Sequence, residues 1–421
     1  MEKKVVYFIL LFSCCLFAQQ PESSGTSRPL VITPEFMMGF TPESNSNFPD
    51  RNFQTQLGVS LGWEQHTNPQ EWAQRLKGLR TGINFGYTDF GNKDSLGGSF
   101  TLLPFMEFNA FRKKNLKVQI GTGMSYFTKK YDSLTNYNNQ AVSTDLNWAF
   151  RVFMHYNFLK TEKIDWRIGL GYFHHSNGHT KLPNQGYNSF LLNVSADLKN
   201  VSARELGSKA IARHNFNRST YDYFSLRTGY GNNVLALVFN DKKAVYTVSA
   251  EYGKVFNNNF KLGLGLYYRF YEHYYDYIQG NYSLVQDGRE FERYKEHPSW
   301  NASNIGLLLN GEFLLNHIGI DMQLGVNFHK PGYKIDWRIN QGWDNTPIDI
   351  SETWQLGEFD SKFKLKNAIS SRLGLKYYLL GTHKAPAHNL YAGIHINANL
   401  GQADFTELSL GYVYSFNFKE K

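Results

Sequence analysis

Along most of this chain apolar residues return at every second position, and a period of two is the pattern of a strand. In Leu116-Lys-Val-Gln-Ile-Gly-Thr-Gly-Met-Ser-Tyr126 the even positions are mostly apolar and the odd ones polar or glycine. Phe260-Lys-Leu-Gly-Leu-Gly-Leu-Tyr-Tyr-Arg-Phe270 keeps the same phase, as do Trp166–Tyr172 and Phe190–Leu198. Wound as a helix, these residues would point to every side; a strand collects them on one face. About sixteen such runs can be marked, near 31–40, 54–64, 79–89, 97–111, 116–128, 144–158, 165–174, 188–198, 220–231, 244–256, 259–273, 302–316, 318–330, 366–381, 389–400 and 403–418.

Beyond the N-terminus no segment reaches the roughly 20 consecutive apolar residues a membrane helix needs. Mean hydropathy is −0.45, yet aromatics make up 16% of residues and prolines number only 12. A transmembrane barrel produces this combination, because its polar lumen-facing residues dilute the lipid-facing ones in the average. Connection lengths agree. Arg112–Asn115, Lys160–Ile164, Asn257–Asn259, His317 and Gly381–His388 are short and fall on alternate connections, as periplasmic turns do. The exceptions are 199–219, too long for its periplasmic side, and 401–402, too short for an outer loop. The expected fold is all-β, an antiparallel transmembrane β-barrel of about 14–16 strands, with two consecutive eight-stranded barrels as the alternative. Tyr267–Tyr275 is expected to form an aromatic girdle at an outer strand end.

Lys3 and Lys4 precede the apolar stretch Val5–Phe17, and Ala18 offers a small residue before Gln19, so residues 1–18 read as a cleaved signal peptide. The barrel then spans 19–418, with strands of a first half over 31–198 and additional strands over 219–418. Cys14 and Cys15 both lie in the signal. The exported chain therefore has no disulfide framework, thiolate metal site or cysteine nucleophile. The net charge of +8 contains no dense Lys/Arg block, so nucleic acid is not an expected partner.

One outer connection carries residues suited to chemistry: Phe173-His-His-Ser-Asn-Gly-His-Thr-Lys-Leu-Pro-Asn-Gln-Gly-Tyr-Asn-Ser189. His174 and Ser176 are two apart on a strand and share a face, so the imidazole can serve as base for the hydroxyl. Asn177 and Asn184 bring amide donors for an oxyanion, and Gly178 shapes the loop around them. His174 continues the parity of Trp166, Ile168, Leu170 and Tyr172, while Asn188 joins that of Phe190, Leu192 and Val194. If those apolar sides face lipid, His174, Ser176 and Asn188 project outwards near the outer-leaflet interface, where polar groups call for a role. His174, His175 and His179, with no carboxylate nearby, make a poor metal set, and no cofactor is expected.

His174-x-Ser176-Asn177 followed by Lys181-x-Pro183-Asn184-x-Gly186-x-Asn188 resembles the lipid A 3-O-deacylase (PagL), or acyloxyacyl hydrolase-like, family of outer-membrane barrels. The resemblance implies ester hydrolysis at the lipid-facing surface. It casts His174 as general base, Ser176 as nucleophile, Asn188 as the group orienting the histidine, and Asn177 and Asn184 as oxyanion residues. The family has glutamate at the position of Asn188. An asparagine can fix the imidazole tautomer but cannot offset the charge of an imidazolium, and no Asp or Glu lies between Asp165 and Asp197. The implied partners are lipid A or lipopolysaccharide, outer-membrane lipids and the barrel-assembly machinery, in the bacterial outer membrane; a homo-oligomer is left open. The alternative is a non-catalytic channel or transport barrel with a degenerate deacylase loop, its lumen lined by Arg167, Lys117, Lys261 and Arg269. A structural or adhesive role would rest on the long outer loops 274–301 and 331–365.

Overall fold

A computed structural model of the chain describes residues 29–76, 78–111, 115–199, 216–342, 350 and 353–420. The expected signal peptide, 1–18, lies outside the described residues. The period-two runs become strands. They are β1 (Leu30–Phe40), β2 (Gln54–Glu64), β3 (Arg80–Asp89), β4 (Gly98–Asn109), β5 (Leu116–Phe127), β6 (Leu146–Lys160), β7 (Ile164–Ser176) and β8 (Tyr187–Lys199). Then follow β9 (Ser219–Asn233), β10 (Lys243–Phe256), β11 (Phe260–Tyr271), β12 (Ser303–Leu315), β13 (Ile318–His329), β14 (Ile369–Tyr378), β15 (His388–Asn399) and β16 (Gln402–Glu420).

These strands do not close as one wide barrel; they form two closed antiparallel barrels, β1–β8 and β9–β16. The second of the two expected architectures is therefore the observed one. The reason lies in the edges. β1 pairs with β8 from Val31↔Lys199 to Phe40↔Phe190, and β9 pairs with β16 from Asn232↔Thr406 to Ser219↔Glu420. No edge is left on the eighth strand to receive the ninth. Residues 200–215 join the two barrels, which accounts for the over-long connection. The short one is a tight outer hairpin at Leu400–Gly401, both at positive φ.

Alternation sets the faces. On β11, Leu262, Leu264 and Leu266 are exposed outwards, whereas Lys261, Tyr267 and Arg269 are buried within. An eight-stranded barrel is just wide enough for side chains to fill, and these lumens are filled by charge networks. In the first, Arg80 and Arg167 bridge Glu107 (2.6 and 2.9 Å) and Asp197 (3.1 and 3.4 Å). In the second, Lys376 bridges Asp321 (2.6 Å) and Glu312 (3.0 Å), and Arg372 bridges Asp321 (2.6 Å) and Glu407 (3.1 Å). Buried charges persist only when paired in this way. Arg167, Lys117, Lys261 and Arg269 do face inwards, and each is paired with a carboxylate.

The outer mouths are closed by apolar packing. Phe48, Phe90, Phe127, Val142 and Tyr187 fill the first. Over the second sits a cap containing α2 (Glu272–Gln279), α3 (Pro298–Asn301), α4 (Gly332–Asn340) and α5 (Ser361–Ala368); α1 (Glu71–Arg75) lies at the opposite end of the first barrel. The expected aromatic girdle at 267–275 is only partly one. Tyr268 faces out, but Tyr267 and Tyr271 alternate inwards and Tyr274 packs in the core of the cap.

Candidate active site

The site lies where β6, β7 and β8 reach the outer end of the first barrel. Trp166, Ile168 and Leu170 are exposed to the lipid side, and Tyr172, His174 and Ser176 continue their parity. The β7–β8 register sets His174 opposite Asn188, and the β6–β7 register sets Trp148 opposite Ser176. His175, with the opposite parity, is wholly buried, its ring 4.2 Å from that of Phe173 and 5.3 Å from that of Phe127. Neighbouring histidines on a strand thus face opposite sides of the wall and cannot converge on one ion. Among the described residues no group of three or more His, Cys, Asp or Glu forms a metal-binding set.

Two polar groupings stand side by side on the outward face. In the first, His174 Nδ1 lies 2.8 Å from Asn188 Oδ1. The amide oxygen can only accept, so Nδ1 carries the hydrogen and Nε2 is left as a free acceptor. The Tyr172 hydroxyl donates to the same Oδ1 at 2.5 Å. Tyr172 shares the parity of His174 and completes this grouping. In the second, Ser176 Oγ accepts hydrogen bonds from Asn184 Nδ2 at 2.9 Å and from the Gly178 N–H at 3.2 Å. Among the described residues no hydrogen bond links His174 to Ser176 directly.

Asn177 departs from its expected role. Its side-chain amide donates to Ser143 Oγ (3.1 Å) and the Lys181 carbonyl (2.6 Å), and its Oδ1 accepts from the Thr180 N–H (3.1 Å). These bonds commit the side chain to the scaffold of the loop. Its backbone N–H instead donates to Asn184 Oδ1 at 2.9 Å, which aims the amide of Asn184 at the serine. Two glycines at positive φ make room. A Cβ on Gly186 would come within 2.9 Å of the His174 ring, and one on Gly178 within 2.4 Å of Thr406 Oγ1.

Thr406 belongs to β16, so the second barrel reaches this face. Its Oγ1 accepts from the Trp148 indole N–H at 2.9 Å, and Ser176 is only 4% exposed beneath these groups. Nothing local in the sequence announced this contact between residues 258 positions apart.

Residues 57–197, which run from β2 to β8 and include the whole constellation, match the family model for Lipid A 3-O-deacylase (PagL). The first barrel carries the signature of the lipid A 3-O-deacylase family over about a third of the chain. Residues 223–340 match a separate family model, that of the Acyloxyacyl hydrolase, C-terminal domain, so the two signatures fall on different barrels. The barrel with the deacylase signature and its companion both have the closed antiparallel form of outer-membrane barrels. A comparison with curated proteins finds no match. Among solved structures the chain is similar to the outer membrane enzyme PagL, at 20% identity over 39% of this chain and 97% of that one, with a TM-score of 0.28. It is also similar to Pseudomonas putida OprB (11% identity, 93% and 94% coverage, TM-score 0.18). A mutant of Rh. blastica porin gives 10% identity, 92% and 99% coverage and a TM-score of 0.16.

Proposed function

We propose that the chain is an outer-membrane serine esterase that removes an ester-linked acyl chain from lipid A or a related lipid at the outer leaflet. The observation that carries this reading is the 2.8 Å contact between His174 Nδ1 and Asn188 Oδ1, made on the outward face two residues from Ser176. That contact leaves Nε2 free to take a proton from the Ser176 hydroxyl as Oγ attacks the ester carbonyl. The lipid substrate draws Nε2 and Oγ into line, since such contacts tighten only in the complex with substrate.

Attack converts the carbonyl oxygen to an oxyanion beside the two donors that now satisfy Oγ, the Asn184 amide and the Gly178 N–H. Collapse of the tetrahedral intermediate breaks the acyl–oxygen bond, and the proton on Nε2 passes to the departing lipid hydroxyl. Water, deprotonated by the same nitrogen, then releases the fatty acid from Ser176. Asn188 holds the imidazole in the useful tautomer without adding charge, and Tyr172 holds Asn188. The outward orientation suits a substrate that is itself a membrane lipid.

Acyl release by the purified protein from lipid A in detergent micelles tests this. Ser176→Ala is expected to abolish release while the heat-modifiable gel mobility of the barrels persists. His174→Ala is expected to slow it by about 100- to 10,000-fold. Wild-type release by Ser176→Ala would remove the serine from the mechanism.

A further inference from the structure

Three contacts bring the second barrel onto the loop that surrounds Ser176. Thr406 on β16 accepts from the indole of Trp148, the residue directly opposite Ser176 on β6. The same Oγ1 lies so close to Gly178 that only glycine fits there. The third contact is the most specific. Asn240, in the outer connection between β9 and β10, donates from Nδ2 to the Leu182 carbonyl at 2.8 Å and accepts from the Leu182 N–H on Oδ1, also at 2.8 Å. One side-chain amide thus satisfies both backbone groups of one residue, as a neighbouring strand would.

Two residues beyond Leu182 stands Asn184, whose amide donates to Ser176 Oγ. The first barrel holds the loop through other points. Ser143 Oγ donates to the Lys181 carbonyl, and the Gln185 and Gly186 N–H groups donate to the carbonyls of Gln140 and Ala141. Between 181 and 185 the backbone is anchored by Asn240. Its side chain has a defined geometry and no role in closing its own barrel.

We propose that the second barrel completes the catalytic face of the first, with Asn240 as a positioning residue that sets the Asn184 amide on Ser176. This rests on the esterase reading above. The chemistry stays with the first barrel, and the second supplies the rigidity of the oxyanion donor.

The test uses the full chain, purified and folded in detergent, with lipid A as substrate. Asn240→Ala is expected to lower kcat by about ten- to a hundredfold, the usual effect of slight misplacement of a reacting group, with KM changed less than about threefold. Asn240→Asp, which can accept from Leu182 N–H but cannot donate to its carbonyl, is expected to fall between the two. In an Asn184→Ala background, adding Asn240→Ala is expected to cost less than about twofold, because both changes act through one amide. A contact that merely glued the barrels together would lower the amount of folded protein and leave kcat per folded molecule alone. Hydrogen exchange of the 177–186 segment gives a readout independent of turnover, and Asn240→Ala is expected to raise it. If the wild type releases no fatty acid, the esterase reading fails, while exchange still decides whether Asn240 anchors the loop. Unchanged exchange overturns the proposal. So does a kcat in Asn240→Ala equal to or above the wild type, or a full additive loss in the double variant.

Discussion

At the residue scale, Asn188 stands where the deacylase resemblance implies a glutamate, and its amide oxygen is held by two neighbours. Asparagine lacks the charge of a carboxylate, but here it is gripped from two sides, by His174 Nδ1 and by the Tyr172 hydroxyl. In the proposed mechanism its work is orientation. Asn188→Ala is accordingly expected to lower kcat by about ten- to a hundredfold, the scale of a misoriented catalytic group. Asn188→Asp keeps the acceptor and adds charge, and is expected to equal or exceed the wild type. Tyr172→Phe removes one hydrogen bond, about 1 kcal/mol or roughly fivefold. Acyl-release kinetics of the three variants check this, and an unchanged kcat in Asn188→Ala would remove the residue from the relay. The shared face of His174, Ser176 and Asn188 was legible, because parity along a strand fixes which side chains lie together. The place of Asn177 was not, because its partners Ser143 and Lys181 come together only when two outer connections pack. In a loop the backbone no longer tells where a side chain points.

At the scale of elements, the strands emerge close to where alternation put them, since lipid outside and packed side chains inside impose the same period on every one. The outer connections were harder to read. Residues 274–301 and 331–365 read as long loops in the sequence, yet they contain most of α2, all of α3 and α4, and part of α5. The helical spacing was present, in Tyr274, Tyr277 and Ile278 and again in Ile335 and Ile339, all buried in the cap. Short helices within long polar stretches give this signal little length to show itself. Burial in the cap also has an energetic consequence. Ile335 is 0% exposed, so Ile335→Ala is expected to destabilise the cap by about 2–5 kcal/mol. The expected readout is protease sensitivity confined to the cap, with heat-modifiable migration retained; an undisturbed cap would show that Ile335 contributes little there.

At the scale of the molecule, the number of strands was readable but their closure was not. Whether β8 turns back to β1 or passes on to β9 depends on pairings such as Val31↔Lys199, which no local pattern encodes. Once closed as two barrels, the lumens are too narrow to remain empty, and they fill with ion pairs such as Arg372 with Asp321 and Glu407. The cations that a channel reading would place along a pore, Arg167, Lys117, Lys261 and Arg269, are paired with carboxylates. Ser176 sits at the contact between the two barrels, 4% exposed beside Trp148 and Thr406. The central proposition is that Ser176, on the lipid-facing side of β7, attacks a membrane lipid. Mass spectrometry of lipid A from cells expressing the wild-type chain or Ser176→Ala tests it most directly. The account expects wild-type cells alone to show lipid A lighter by one acyl chain. Identical lipid A from both, with both proteins folded in the outer membrane, would contradict it.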